Sequence, residues 1–247
     1  MILVLGGTGE ARELAGALDA AGVHVTSSLA GRVSRPRLPA GTVRIGGFGG
    51  PDALARWLTE RGVVAVVDAT HPFAERISAS AAVACPRAGV PLLRLQRPGW
   101  SAGPDDAWHW VADLEQAAAA IPALGQRVLL TTGRQGLPAF AGLHDTWFLM
   151  RCVEPPKPPL PARHQLLLDR GPYTLEGELA LIEQHRIELL VTKDSGGALT
   201  EAKLEAARQR GLPVIVVHRP PRPDVATVAT VADALTWAQQ HERAHAG

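Results

Sequence analysis

An α/β protein built of two similar units is the fold class this sequence predicts, on three observations. Short apolar runs break at glycines, amphipathic stretches follow them at once, and the second half repeats the element order of the first. The opening shows the pattern most clearly: Met1-Ile2-Leu3-Val4-Leu5 runs into Gly6-Gly7-Thr8-Gly9-Glu10-Ala11-Arg12, and Leu14 and Leu18 follow four residues apart. That reads as strand, tight turn and helix. Such a turn aims backbone N–H groups and the positive end of a helix dipole at an anion, usually a phosphate. The match to G-x-G-x-x-G is partial, because Arg12 occupies the place of the third glycine.

The remaining elements of the first half follow in order. Gly22 ends the helix, and Val23–Leu29 reads as a second strand leading to Ala30-Gly31-Arg32. Thr42–Ile45 is a third strand, closed by Gly46-Gly47-Phe48-Gly49-Gly50. A helix begins near Asp52 with Leu54, Trp57 and Leu58 on one face. Val63–Val67 is the β-branched run of a strand covered on both faces, and it ends in Asp68-Ala69-Thr70-His71-Pro72-Phe73-Ala74 before an alanine-rich helix. Gly89-Val90-Pro91 leads a fifth strand, through Leu95.

The second half repeats this order. Arg127–Leu130 meets Thr131-Thr132-Gly133-Arg134-Gln135, Trp147–Val153 and Gln165–Asp169 stand as strands two and three, and Thr174 caps a helix with Glu176 and Glu178 in its first turn. Leu189–Thr192 runs into Lys193-Asp194-Ser195-Gly196-Gly197, then a helix to about Arg210 and Gly211–Val217. Gly211-Leu212-Pro213 stands 122 residues after Gly89-Val90-Pro91, and Arg219-Pro220 stands 122 after Arg97-Pro98. A similar tail follows each, Val111-Ala112-Asp113-Leu114 and Val231-Ala232-Asp233-Ala234-Leu235. The repeat predicts two Rossmann-like units, residues 1–124 and 125–247, each a mostly parallel sheet flanked by helices with right-handed crossovers. The ligand site is expected beyond the carboxyl ends of the strands, in a cleft between the units. The Pro-rich stretch Glu154–Pro161 reads as a stiff extended loop, either a wall of that cleft or a plain surface connection.

Composition narrows the class of function. The 247 residues are 46% apolar and 20% charged, with a formal net charge of +1. Bulk attraction to nucleic acid or to a membrane surface is therefore not expected, and any anion site must be local. No apolar run reaches membrane-spanning length, no signal-peptide pattern opens the chain, and Cys85 and Cys152 lack CxxC spacing. They read as buried reduced thiols in a cytoplasmic protein. G-x-S-x-G, H-E-x-x-H and Walker A patterns are absent. His241 and His245 have helical metal-ligand spacing but lie in a polar terminal segment, so no metal site is expected.

The residues that carry chemistry cluster after strand ends. The second strand ends without the carboxylate that selects NAD, whereas Ser28 and Arg32 supply the hydroxyl and guanidinium that a 2′-phosphate requires, favouring NADP. Arg32 reads equally as a solvated loop arginine. Glu10 faces a ribose hydroxyl or favours the helix N-terminus. His71 is a hydrogen-bond or proton donor near neutral pH, or a structural histidine bonded to backbone. Asp68 caps the following turn or orients Thr70 and His71. The expected cofactor set is Gly7, Thr8, Gly9, Glu10, Ser28, Arg32, Gly47, Thr70 and His71. Arg134, Gln135, Lys193, Ser195 and Gly196, on the matching loops of the second half, suit a substrate with many carboxylates, with Gly197 completing an anion nest. No catalytic residue is assigned from the sequence; His71, Lys193 and Arg134 are the candidates.

Taken together, Gly6–Arg12, Ser28–Arg32, Gly46–Gly50, Asp68–Ala74, Thr132–Gln135, Arg170-Gly171-Pro172 and Lys193–Gly197 resemble the precorrin-6A reductase family of cobalamin biosynthesis and its cobalt-precorrin-6A counterpart. The motifs span nearly the full length in family order. Asp194 departs from the Asn expected there, adding a negative charge near an anionic substrate. The resemblance implies NADPH-dependent reduction of one double bond of a contracted tetrapyrrole, giving precorrin-6B, with Arg and Lys side chains on its acetates and propionates. Transient contact with neighbouring pathway enzymes is the remaining partnership expected. Two alternatives stand beside it. A short-chain type reductase needs Tyr-x-x-x-Lys, and the only tyrosine, Tyr173, has Gly177 at the Lys position. A non-catalytic two-domain binder of an anionic ligand is the other.

Overall fold

The computed structural model describes residues 1–31 and 38–246. In chain order the elements are β1 (Ile2–Leu5), α1 (Gly9–Ala20), β2 (Val25–Leu29), β3 (Thr42–Ile45), α2 (Pro51–Glu60), β4 (Ala65–Asp68), α3 (Glu75–Ala88) and β5 (Leu92–Leu95). There follow β6 (Trp108–Val111), α4 (Leu114–Leu124), β7 (Arg127–Leu130), β8 (Trp147–Cys152), β9 (Arg163–Leu168), α5 (Leu175–Gln184) and β10 (Leu189–Lys193). The chain closes with α6 (Ala202–Gln209), β11 (Val214–Val217), β12 (Thr227–Val228) and α7 (Val231–Ala246). The strands form two six-stranded sheets, and every pairing between neighbours is parallel. The mostly parallel sheets expected from the sequence are entirely so.

Unit 1 comprises residues 1–98 and 221–247, and its sheet runs β3-β2-β1-β4-β5-β12. Ile2–Leu5 is buried along its whole length, which requires helices on both faces. Alternation along β1 then assigns the faces. Ile2 and Val4 pack with Leu14 and Leu18 of α1 and with Ala234 and Ala238 of α7. Leu3 and Leu5 pack with Leu54 and Leu58 of α2 and with Ala81, Ala84 and Cys85 of α3. Each fully buried leucine stabilises the fold by about 1.5–3 kcal/mol. The strand order reverses between β1 and β4, where Leu5 lies in register with Asp68 on one side and Ser28 on the other. That reversal opens the crevice in which ligands of such sheets bind.

Unit 2 is continuous, residues 99–220, with the sheet order β9-β8-β7-β10-β11-β6. One face carries Leu129, Leu149, Leu190, Val214 and Val216 against Ile182 of α5 and Leu204 and Ala207 of α6. Thr174 caps α5 by accepting the Gly177 N–H, as its sequence position implies. After β7, however, the chain makes only a four-residue 3₁₀ turn, Leu137–Phe140, before β8.

The units do not divide at residue 124. That position falls between α4 and β7, inside unit 2. The two similar tails are exchanged: β6 and α4, which follow the fifth strand of the first half, belong to the second sheet, and β12 and α7 belong to the first. Trp108–Val111 pairs with β11 over its whole length, and Thr227–Val228 pairs with β5. Numbered by position, unit 1 has the order 3-2-1-4-5-6, and unit 2 has the same order with its sixth strand placed first in the chain.

Candidate functional site

In unit 1 the glycine turn follows β1 at the switch point. Gly6 N–H donates to the Ser28 carbonyl at 3.0 Å. Gly7 takes φ +119°, and a Cβ there would meet nothing within 4 Å. Backbone conformation, not crowding, requires the glycine, and the turn stays open to an approaching ligand. Thr8 caps α1: its Oγ1 accepts the Ala11 N–H at 3.1 Å and donates to the Ala69 carbonyl at 2.8 Å. One side chain thereby ties the turn after β1 to the loop after β4. Glu10 ion-pairs with Arg97 at 2.7 Å, which removes the charge conflict a carboxylate would create beside a bound phosphate. Thr8, Glu10, Ala69, Thr70, Gln96 and Arg97 line one small pocket.

The loop after β4 is held by Asp68, whose carboxylate is buried. Its Oδ1 accepts from Thr70 N–H at 3.2 Å and Thr70 Oγ1 at 2.6 Å, and its Oδ2 accepts from Ser78 Oγ at 2.5 Å. Arg222 Nη2 adds a contact to Oδ2 at 3.4 Å, and Arg222 Nη1 donates to Gln96 Oε1 at 3.1 Å. Asp68 thus does both things expected of it at Thr70: it caps the turn through the backbone N–H and orients the hydroxyl. His71 is half-buried, and its Nδ1 accepts the Phe73 N–H at 3.2 Å, which leaves the proton of a neutral ring on Nε2. At the end of β2, Ser28 is buried, and Arg44 Nη1 donates to its Oγ at 3.4 Å. Arg44 also donates to the carbonyls of Gly46 (2.6 Å) and Gly47 (2.8 Å) and stacks 3.7 Å from the centre of the Phe48 ring. Partial burial lowers the Arg44 pKa from its ordinary value. Arg32 lies outside the described residues.

In unit 2 the turn after β7 places Thr132 against Gly136, where a Cβ would come within 2.8 Å of Thr132 Oγ1. Arg134 pairs with Glu154 at 3.2 Å, joining that turn to the start of the Pro-rich loop. After β10, Gly196 and Gly197 take φ +64° and +77°, backbone conformations that favour glycine, and Ser195 N–H donates to the Lys193 carbonyl at 2.7 Å. Asp194 does not face a ligand as a bare charge. It is buried, accepts the Trp100 N–H at 3.0 Å and pairs with Arg219 Nε at 3.1 Å. Its added negative charge is thereby answered within unit 2. The glycine at 99 is explained too, since a Cβ there would lie 2.5 Å from Asp194 Oδ2.

Unit 2 also holds a buried ionic group: Arg151 pairs with Glu178 and stacks 3.9 Å from the centre of the Tyr173 ring. Nearby Lys203 Nζ donates to the Thr200 carbonyl at 2.8 Å and sits 4.8 Å over the Trp100 ring. Burial, and then Arg151, hold the Lys203 pKa down at about 7 against the opposing pull of Glu178. Both cysteines are free and buried, and burial with the Asp68 charge pushes the Cys85 thiol up to about 12.

The fold brings Gly7, Thr8, Gly9, Glu10, Thr70 and His71 to the ends of β1 and β4, and Ser28 and Gly47 to the ends of β2 and β3. It brings Arg134 and Gln135 to the end of β7, and Lys193, Ser195 and Gly196 to the end of β10. Sequence reasoning did not single out Arg44, Arg97 or Arg222. The recurring Arg-Pro pair was the available signal for Arg97, since Arg97 and Arg219 each ion-pair with a turn carboxylate of their own unit.

The family model Precorrin-6x reductase CbiJ/CobK matches residues 1–239. A precorrin-6A reductase of Rhodococcus erythropolis is 55% identical over 96% of both chains, and one of Mycobacterium tuberculosis is 50% identical over the same shares. A cobalt-precorrin-6A reductase of Salmonella typhimurium is 33% identical over 89% of this chain and 87% of its own. Among solved structures, CobK precorrin-6A reductase superposes with a TM-score of 0.92 at 43% identity, covering 97% of this chain and 96% of that one. With two parallel sheets and a family match along nearly its whole length, the chain belongs to the precorrin-6x reductase family and is an oxidoreductase.

Proposed function

We propose that the protein catalyses NADPH-dependent reduction of one macrocycle double bond of precorrin-6A, giving precorrin-6B, in cobalamin biosynthesis. One contrast carries the assignment of roles. In unit 1 the glycine turn feeds a twelve-residue helix, whereas the corresponding turn of unit 2 feeds a four-residue 3₁₀ turn. A pyrophosphate needs the first kind of support, in which several N–H groups and the helix dipole act together. The dinucleotide is therefore assigned to Gly7, Thr8, Gly9 and Glu10, with Ser28, Arg32 and Gly47 toward its 2′-phosphate and Thr70 and His71 beside the loop after β4. Arg134, Gln135, Lys193, Ser195 and Gly196 of unit 2 are assigned to the acetate and propionate groups of the substrate.

When bound, NADPH supplies the hydride. The chain's own contribution is to align donor and acceptor and to exclude water. A conjugated macrocycle becomes electrophilic on protonation, so the protein need only hold that protonated form; His71 Nε2–H and Lys193 are the groups able to pass a proton, while Arg134 stays charged and is limited to orienting the substrate carboxylates. The metal-free substrate is preferred over the cobalt form because identity to precorrin-6A reductases (43–55%) exceeds identity to cobalt-precorrin-6A reductases (30–33%). A cytoplasmic location fits the free buried thiols, and no helix among the described residues is long and apolar enough to cross a membrane.

Mixing protein, NADPH and precorrin-6A tests the reading. Loss of the near-ultraviolet absorbance of NADPH, with a product heavier than the substrate by two hydrogens, is the expected result. Tight binding of both compounds with no loss of absorbance would make the protein a binder instead.

A further inference from the structure

Of the groups assigned to the 2′-phosphate, Arg32 lies outside the described residues, and the geometry of the rest points to a further side chain, Arg44. We propose that Arg44, with Ser28, holds the 2′-phosphate and is the residue that sets the preference for NADPH. The inference rests on the cofactor reading above and deepens it at that same site.

Arg44 lies on β3 in direct register with Ser28 on β2. Both therefore sit at the carboxyl end of the sheet, where a dinucleotide fold meets the adenosine ribose. No carboxylate ends β2, so the group with which NAD-selective proteins hold the free 2′- and 3′-hydroxyls is missing there. The guanidinium is fixed before any ligand arrives: the Gly46 and Gly47 carbonyls and Ser28 Oγ take three of its five N–H donors, and the Phe48 ring covers one face. Phe48 is itself braced edge-on by Trp57 at 5.3 Å. Among the described residues no carboxylate ion-pairs with Arg44, so its charge is left for an anion. The loop around it is open, since a Cβ at Gly46 or Gly47 would meet nothing within 4 Å, and Gly46 holds φ +116°. A preorganised fork of this kind loses little freedom on binding a phosphate, which a flexible loop lysine would not match.

A purely structural Arg44, bracing the Gly46–Phe48 loop, would weaken all nucleotides alike. The test is therefore a comparison by titration calorimetry of adenosine 2′,5′-bisphosphate with adenosine 5′-monophosphate, and of NADPH with NADH. Wild type is expected to prefer the 2′-phosphorylated member of each pair. Arg44→Ala should lose roughly 10–100-fold in affinity for that member, the range of a charge-assisted hydrogen-bonding pair, while NADH and the monophosphate stay within about twofold. Arg44→Lys should recover part of the preference. An equal loss for all four ligands, or a preference that survives in Arg44→Ala, overturns the role given to Arg44 while leaving the NADPH reading intact. A wild type that binds neither dinucleotide removes that reading, and the inference with it.

Discussion

Lys203 shows how far a single buried group departs from its ordinary chemistry. Its ammonium is packed over Trp100 near Arg151 and Glu178, and its pKa falls from 10.5 to about 7. Because the folded state holds this proton less tightly than the unfolded state, stability rises with pH between about 7 and 10.5. Below about 7 the lysine is charged in both states and the full desolvation penalty is felt. The expected slope is at most about 1.4 kcal/mol per pH unit. Lys203→Met should flatten the rise, and urea denaturation at pH 7 and pH 9 measures it; an unchanged slope would place the titration elsewhere. Residues of this kind are the least legible in sequence. Nothing in Ala202-Lys203-Leu204 marks the lysine as buried, since that follows from Trp100, which lies far away in the chain. Asp194 is similar: as a sequence feature it is an unwelcome negative charge, and only its Arg219 and Trp100 partners make it a support for the loop.

At the level of elements, the turn and helix that open the chain were legible because every signal is local. A four-residue apolar strand, glycines, Thr8 as a cap and leucines at helical spacing lie within one short stretch. Thr8→Ala should destabilise unit 1 by about 1 kcal/mol through loss of the cap, and Thr8→Ser should restore it. The same substitution should weaken NADPH binding, because Thr8 also holds the loop after β4 through the Ala69 carbonyl. Chemical denaturation and ligand titration read the two effects separately. The matching turn of unit 2 was equally legible as strand and glycine turn, but not its sequel. Leu137-Pro138-Ala139-Phe140 is apolar enough to begin a helix, yet it makes a single 3₁₀ turn with Leu137 and Phe140 fully buried. Packing demand on those two side chains, including Phe140 against Phe148 at 6.0 Å, decides the local conformation. The expected site residues were legible from strand ends and glycine turns, which are local signals. Arg44 and Arg222 were not singled out, and Arg97 stood only as part of a repeat, because their partners, Ser28, Asp68 and Glu10, lie on other elements of the chain.

Across the whole molecule, the duplication was visible and the division between units was not. Similarity identifies like elements but carries no information about which sheet a strand joins, so the tails beginning at Val111 and Val231 were assigned by chain order instead of by pairing. Their exchange makes unit 2 an unbroken stretch, whereas unit 1 is made from both ends of the chain. A fragment of residues 99–220 is expected to fold cooperatively alone. Residues 1–98 should not, because β5 then lacks β12, and Ile2, Val4, Leu14 and Leu18 lose Ala234 and Ala238. Circular dichroism and denaturant titration of both fragments check this, and a cooperative transition in residues 1–98 would refute it. The exchange also orders events at the ribosome. A nascent chain exposes the glycine turn after β1 early, yet the sheet behind that turn is completed by β12 and α7, which are made after the whole of unit 2. Unit 2 can settle while synthesis continues, and the sheet that carries the proposed nucleotide site is whole only once β12 and α7 have followed it.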